Sequence, residues 1–187
     1  MQWLNLVGEE KYAGRVRRVA VVRRDPTKIQ CVSATNDLLS GKGREHQVVR
    51  LINHHVYHRT NLKHDIALIQ VTPKFIFDGR EAQTKLPPKS YQVPVGALAT
   101  VVGWGRTEQR GKPADKLQFV TDVVIDTETC KKRMLDLGDS GGPFFYGEYQ
   151  IGVVSWFMNK CGAGPSVYTK LSEHIDWINE QIAPYKL

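Results

Sequence analysis

Six consecutive residues carry the strongest chemical signal in the chain: Gly138-Asp139-Ser140-Gly141-Gly142-Pro143. A serine flanked by glycines leaves backbone N–H groups unobstructed beside its hydroxyl, the arrangement that stabilises a developing oxyanion. The hydroxyl itself is a weak nucleophile until a neighbouring base takes its proton. A nucleophile with paired backbone donors suits acyl transfer at a carbonyl. The competing account of the hexapeptide is a glycine-rich turn ahead of a strand starting at Phe144. Histidine is the second group of interest, with His54, His55, His58 and His64 falling within eleven residues. A metal site or a general base can be drawn from such a group. However, three of them lie in a loop, and His64 adjoins Asp65 on a predicted strand, where neighbouring side chains point to opposite faces. All four are read as surface or loop histidines, and no metal site is assigned.

The elements that must position these residues are mostly strands. β-type runs occupy Val16–Val22, Gln47–Ile52, Ile66–Val71, Ala97–Trp104, Leu117–Ile125, Tyr149–Trp156 and Ser166–Thr169, separated by Gly, Pro, Asn and Asp clusters. They do not alternate with long helical patterns, which excludes a parallel α/β fold. One helix is predicted at the end, where Leu171, Ile175, Ile178 and Ile182 form a single apolar stripe. Ser172 is its expected cap and Pro184 follows its end. There is no internal repeat and no low-complexity segment.

Composition narrows the function classes. A chain of 187 residues with 41% hydrophobic and 24% charged content is that of a folded domain and not of a disordered one. No apolar run approaches the roughly 20 residues needed to span a bilayer. The net charge is +7, and residues 11–28 alone carry seven basic residues against Asp25. Nucleic-acid binding would want such a patch interleaved with aromatics, and only Tyr12 is near. A solvated basic strand or a heparin-like polyanion contact accounts for it better. Three cysteines is an odd number, implying a missing partner or a free thiol. The stretch before Glu9 and Glu10 has no basic n-region, so no signal peptide is read. On these facts alone, secretion is not expected.

Further segments change that expectation. His64-Asp65-Ile66-Ala67-Leu68-Ile69, Val102-Gly103-Trp104-Gly105, Val154-Ser155-Trp156, Pro165-Ser166-Val167-Tyr168-Thr169 and Trp177-Ile178 follow one another in the order seen in chymotrypsin/trypsin-type serine endopeptidases. With the Ser140 motif, the chain resembles that family from about residue 46 to 182. The resemblance implies an all-β fold of two packed antiparallel β-barrels with a C-terminal α-helix and the active site between the barrels. It implies Ser140 as nucleophile, Asp65 as the carboxylate that orients a base, and the Gly138 and Ser140 N–H groups as oxyanion hole. Ser155, Trp156 and Phe157 would line the substrate, and Asp139 would pair with a new α-amino terminus after zymogen cleavage. An extracellular, cofactor-free monomer acting on protein or peptide substrates, and met by protease inhibitors, is the implied setting.

The resemblance is broken in two places. The family's Ala-Ala-His-Cys block is absent: Cys31 is the candidate for its cysteine, which puts Gln30 where the base would stand. An amide cannot take the proton of Ser140. Leu6-Val7-Gly8-Glu9 echoes the family's mature N-terminus without a preceding Lys or Arg. Only seven residues separate Cys130 from Gly138, too few for the specificity pocket, and no trypsin-like aspartate is identified. Cys31, Cys130 and Cys161 each match one half of a different family disulfide. Residues 1–30 are therefore set apart as an atypical basic segment, and residues 31–187 as a trypsin-like serine protease domain, incomplete in its first barrel. Three outcomes follow: an endopeptidase with an unidentified base, a non-catalytic homologue acting by binding, or a truncated product.

Overall fold

The computed structural model describes residues 2–6, 29–58, 60, 62–107, 111–133, 142–157 and 166–185. Two antiparallel sheets account for them. The first contains β1 (Gln2–Leu6), β2 (Gln30–Ser33), β3 (Arg44–Asn53) and β4 (Ala67–Thr72) in the order β1-β4-β3-β2. The second contains β5 (Leu98–Gly103), β6 (Gln118–Val123), β7 (Pro143–Tyr146), β8 (Tyr149–Phe157) and β9 (Ser166–Lys170) in the order β6-β5-β7-β8-β9. A short helix, α1 (Thr127–Arg133), follows β6, and α2 (Ile175–Ile182) closes the described chain. This is the two-barrel, all-β architecture implied by the resemblance.

The central strand β4 explains how the sheets meet. Alternate side chains of a strand face opposite sides, and here both sides are covered. Ala67, Ile69 and Val71 turn into the first sheet's own core with Ile29 and Val48. Leu68, with Ile66 just before the strand, turns the other way onto Val153 of β8 and onto Leu171, Trp177 and Ile178 of the C-terminal segment. Leu68, Ile69 and Leu171 are fully excluded from solvent, each a burial contributing about 1.5–3 kcal/mol. A separate cluster of Ala99, Phe144 and Ile151 fills the second sheet.

Several sequence expectations shift. Residues 2–6, inside the segment set apart as 1–30, pair residue by residue with β4 from Gln2↔Val71 to Leu6↔Ala67. They form an edge strand of the first sheet. The strand expected from Ile66 begins at Ala67, because the chain bends before it: His64 has a φ of 55° and the Ile66 N–H donates to the His64 carbonyl. Ser172 does not cap the helix. It is buried and its hydroxyl donates to the Tyr91 carbonyl at 3.0 Å, a 3₁₀ turn spans Leu171–Glu173, and His174 takes the N-cap position of α2. The predicted strand Val16–Val22 lies outside the described residues.

Candidate active site

Asp65 is the best-defined functional side chain. It ends the bent loop before β4 and is 6% exposed. Two residues of the second sheet reach across to it. The Ser155 hydroxyl donates to Asp65 Oδ2 at 2.7 Å, and the Thr169 hydroxyl donates to the Asp65 carbonyl at 2.8 Å. Both bonds are buried. A hydroxyl bonded to an ionised carboxylate contributes about 1.5–3 kcal/mol, and leaving that carboxylate unpaired in the interior would cost at least as much.

Ser155 reaches Asp65 because β8 is bulged there. The β8–β9 register passes from Val154↔Tyr168 to Trp156↔Val167, leaving Ser155 as the extra residue. A bulge re-aims the side chain it carries. The same strand holds Trp156 and Phe157, whose backbones pair with Val167 and Ser166. Thus β8 supplies both the residue that holds Asp65 and the backbone along which a substrate was expected to lie.

The nucleophile motif enters this region through its last two residues. Ser140, Gly138 and Asp139 lie outside the described residues; Gly142 and Pro143 do not. The Gly142 carbonyl accepts the Val154 N–H at 2.8 Å, one residue before Ser155. A Cβ on Gly142 would stand 3.0 Å from the Val102 carbonyl oxygen of β5, so the second glycine of the motif is required by close backbone approach. Pro143 then opens β7, at a position that pairs with Val153.

All six histidines of the sequence are described, and their partners are distributed as follows. His46, on β3, is buried between Ser33 Oγ at 2.7 Å and the Pro73 carbonyl at 2.8 Å. His58 bonds through its backbone to Lys63 and lies beside Thr60. His55 stacks on His54. His54 also stacks on His64, with ring centroids 4.7 Å apart, and leans against Trp177 at 4.8 Å. His64 Nδ1 is 3.2 Å from His174 Nε2, and His174 Nδ1 bonds to the Lys170 carbonyl at 2.8 Å. Burial, and secondarily the neighbouring imidazoles, push His54 down to about 4; burial, then His174 and Lys63, lower His64. Among these contacts His174 was not anticipated from the sequence. It is 110 residues from His64, on a helix whose signal was its apolar stripe.

Gln30 is not placed where the sequence alignment put it. Its backbone pairs with Gln47, which pairs in turn with Thr72. That row lies at the far end of β4 from Asp65, roughly 17 Å from Ala67 at ~3.3 Å per residue. The position of the base is therefore not one that Gln30 took over. Among the described residues Cys31 and Cys130 are free thiols; Cys161 lies outside them. Burial, with the Glu81 charge adding to it, pushes Cys31 up to about 11, which favours the neutral thiol over the nucleophilic thiolate.

The family profile described as trypsin matches residues 20–178. A trypsin of Phaedon cochleariae is 30% identical over 164 residues, covering 76% of this chain and 64% of the relative. Trypsin eta of Drosophila melanogaster is 32% identical over 160 residues, covering 74% of this chain and 61% of the relative. The chain thus spans somewhat under two thirds of the length of these curated relatives. Among solved structures, human heparin binding protein superposes with a TM-score of 0.77 at 19% identity, covering 97% of this chain and 98% of that one. A scabies mite inactivated protease paralogue superposes with a TM-score of 0.76 at 19% identity, covering 98% of this chain and 85% of that one. With the profile covering most of its length and Asp65 seated between the two sheets, the chain belongs to the trypsin family of serine proteases.

Proposed function

We propose that the chain carries the carboxylate and the nucleophile of serine-type peptide-bond hydrolysis and lacks a positioned imidazole between them. Ser140 is the nucleophile, the N–H groups of Gly138 and Ser140 receive the oxyanion, and Asp65 is the carboxylate built to orient a base. The single observation carrying this reading is the seating of Asp65. A buried carboxylate fixed by Ser155 from a strand bulge, on a backbone held by Thr169, is preorganised for an imidazolium neighbour, and preorganisation is where such sites gain their rate. The family's Ala-Ala-His-Cys block, which would bring the imidazole that takes the Ser140 proton, is absent from the sequence. Removing one member of a triad leaves about 10³–10⁴-fold acceleration over water from oxyanion hole and binding alone. The substrates are proteins or peptides, the setting is extracellular, and Ser155, Trp156 and Phe157 present the strand on which the substrate backbone lies.

A fluorophosphonate probe tests this directly. The chain is expected to label slowly at Ser140, faster when free imidazole is added, and not at all in Ser140→Ala. Labelling as fast as that of trypsin run beside it, indifferent to imidazole, would show that a base is already in place. A folded chain that stays silent even with imidazole would show that the nucleophile and its oxyanion hole are not assembled.

A further inference from the structure

We propose that His54, His64 and His174 form a zinc site that clips the first sheet to the C-terminal helix. The three residues come from separate segments: His54 follows β3, His64 precedes Asp65, and His174 caps α2. One ligand atom from each lies within 4.8 Å of the others. Two of them already have the spacing of a shared metal. Imidazole nitrogens on one tetrahedral zinc, each ~2.0–2.1 Å from it, stand about 3.3–3.4 Å apart; His64 Nδ1 and His174 Nε2 are 3.2 Å apart.

The surroundings fit ligation. His174 Nδ1 faces the Lys170 carbonyl, which can only accept, so Nδ1 carries the proton and Nε2 presents its lone pair toward His64. Such a carbonyl partner is the usual outer support of a zinc-bound imidazole, fixing tautomer and ring orientation. His54 is 8% exposed, yet among the described residues its Nδ1 has no hydrogen-bond partner. A buried imidazole nitrogen left unpaired costs about 1–3 kcal/mol, and hydrogen bonding within this group does not account for it. His64 is the exposed member of the three; its ring lies 9° from parallel with that of His54, so a shared metal requires the His64 ring to turn out of that stack. Lys63 and Glu173, the charged neighbours of His64, are of opposite sign, so the metal's charge meets no one-sided repulsion. Imidazoles without carboxylate or thiolate select zinc and its late-transition neighbours over calcium or magnesium. Three nitrogens leave the fourth position open.

Zinc titration of the untagged 187-residue chain, followed by calorimetry and by thermal unfolding, reads this site. One zinc per chain is expected to bind and raise the unfolding temperature reversibly to chelator. His64→Ala removes an exposed ligand and should fold normally; it is expected to weaken zinc by more than the roughly 10–100-fold that loss of an outer partner costs. His174→Ala should do the same, whereas His58→Ala, outside the cluster, should leave the affinity unchanged. Cobalt in place of zinc should give tetrahedral visible bands without thiolate charge transfer. Binding that survives His64→Ala, cobalt bands with thiolate character, or the absence of a 1:1 complex would each overturn the assignment.

Discussion

Arg44 shows how single side chains hold the first sheet's outer edge. Its guanidinium pairs with Asp78 at 2.5 Å, with Glu81 at 3.2 Å, and donates to the Ile76 carbonyl at 3.2 Å. Glu81 is buried and also accepts from the Ser33 hydroxyl and from the Ile76 N–H at 2.5 Å. Burial opposes the charge on Glu81, but these donors and Arg44 outweigh it and hold the carboxyl below its usual range. Asp78 is lowered as well, chiefly by its bond to Arg44. A carboxylate depressed on folding contributes stability above its unfolded pKa of about 4 and loses it as pH falls through the folded value. Glu81→Gln keeps the shape and removes the charge, and at pH 7 it is expected to cost about 1–2 kcal/mol. The gap between wild type and variant in urea midpoint should close on acidification from pH 5 to pH 2. A gap that stays constant with pH would show that Glu81 acts by packing alone.

At the scale of elements, α2 and the strands under it set how much destabilisation one residue can cause. Ile178 is 1% exposed and sits with Trp177 and Leu171 against Leu68 and Val153, so Ile178→Ala is expected to cost about 2–5 kcal/mol. Denaturant unfolding followed by tryptophan fluorescence would measure it, and a loss below 1 kcal/mol would show that α2 is not integral to the core. This helix was legible in the sequence because Leu171, Ile175, Ile178 and Ile182 repeat at its period. The strands β3, β4, β5 and β8 were legible as short β-branched and apolar runs bounded by Gly, Pro, Asn and Asp clusters. What stayed hidden depended on pairing across the chain. β1 and β2 are short, and only their registers with β4 and β3 make them strands. The same registers separate Gln30 from Asp65. Ser172 carries a good cap signal, yet its burial turns the hydroxyl to the Tyr91 carbonyl instead. For the site, Asp65 and Ser155 could be named from local motifs. The bulge that joins them, and the meeting of His174 with His64, are tertiary facts with no local signature.

The whole molecule is unevenly closed. The second sheet ends on β6, which among the described residues has β5 as its one strand partner. All six of its side chains are exposed, on both faces. Phe119 is 78% exposed and Val120 60%, and Leu98, paired with Val123 at the end of β5, is 64%. Besides the backbone ladder, the Thr100 and Thr121 hydroxyls meet across this pair at 3.0 Å. A terminal strand carrying large apolar side chains on both faces presents free backbone groups and hydrophobic surface together, the combination that drives edge-to-edge pairing. The net charge of +7 repels copies of the chain at low salt, but exposed charges are screened beyond about 8 Å at physiological ionic strength. Self-association that rises with both concentration and salt is therefore expected in sedimentation velocity. Phe119→Lys should suppress it while changing folding stability by no more than about 0.5 kcal/mol, as befits a surface position. If association persists in that variant and weakens with salt instead, charge rather than the β6 edge holds the copies together.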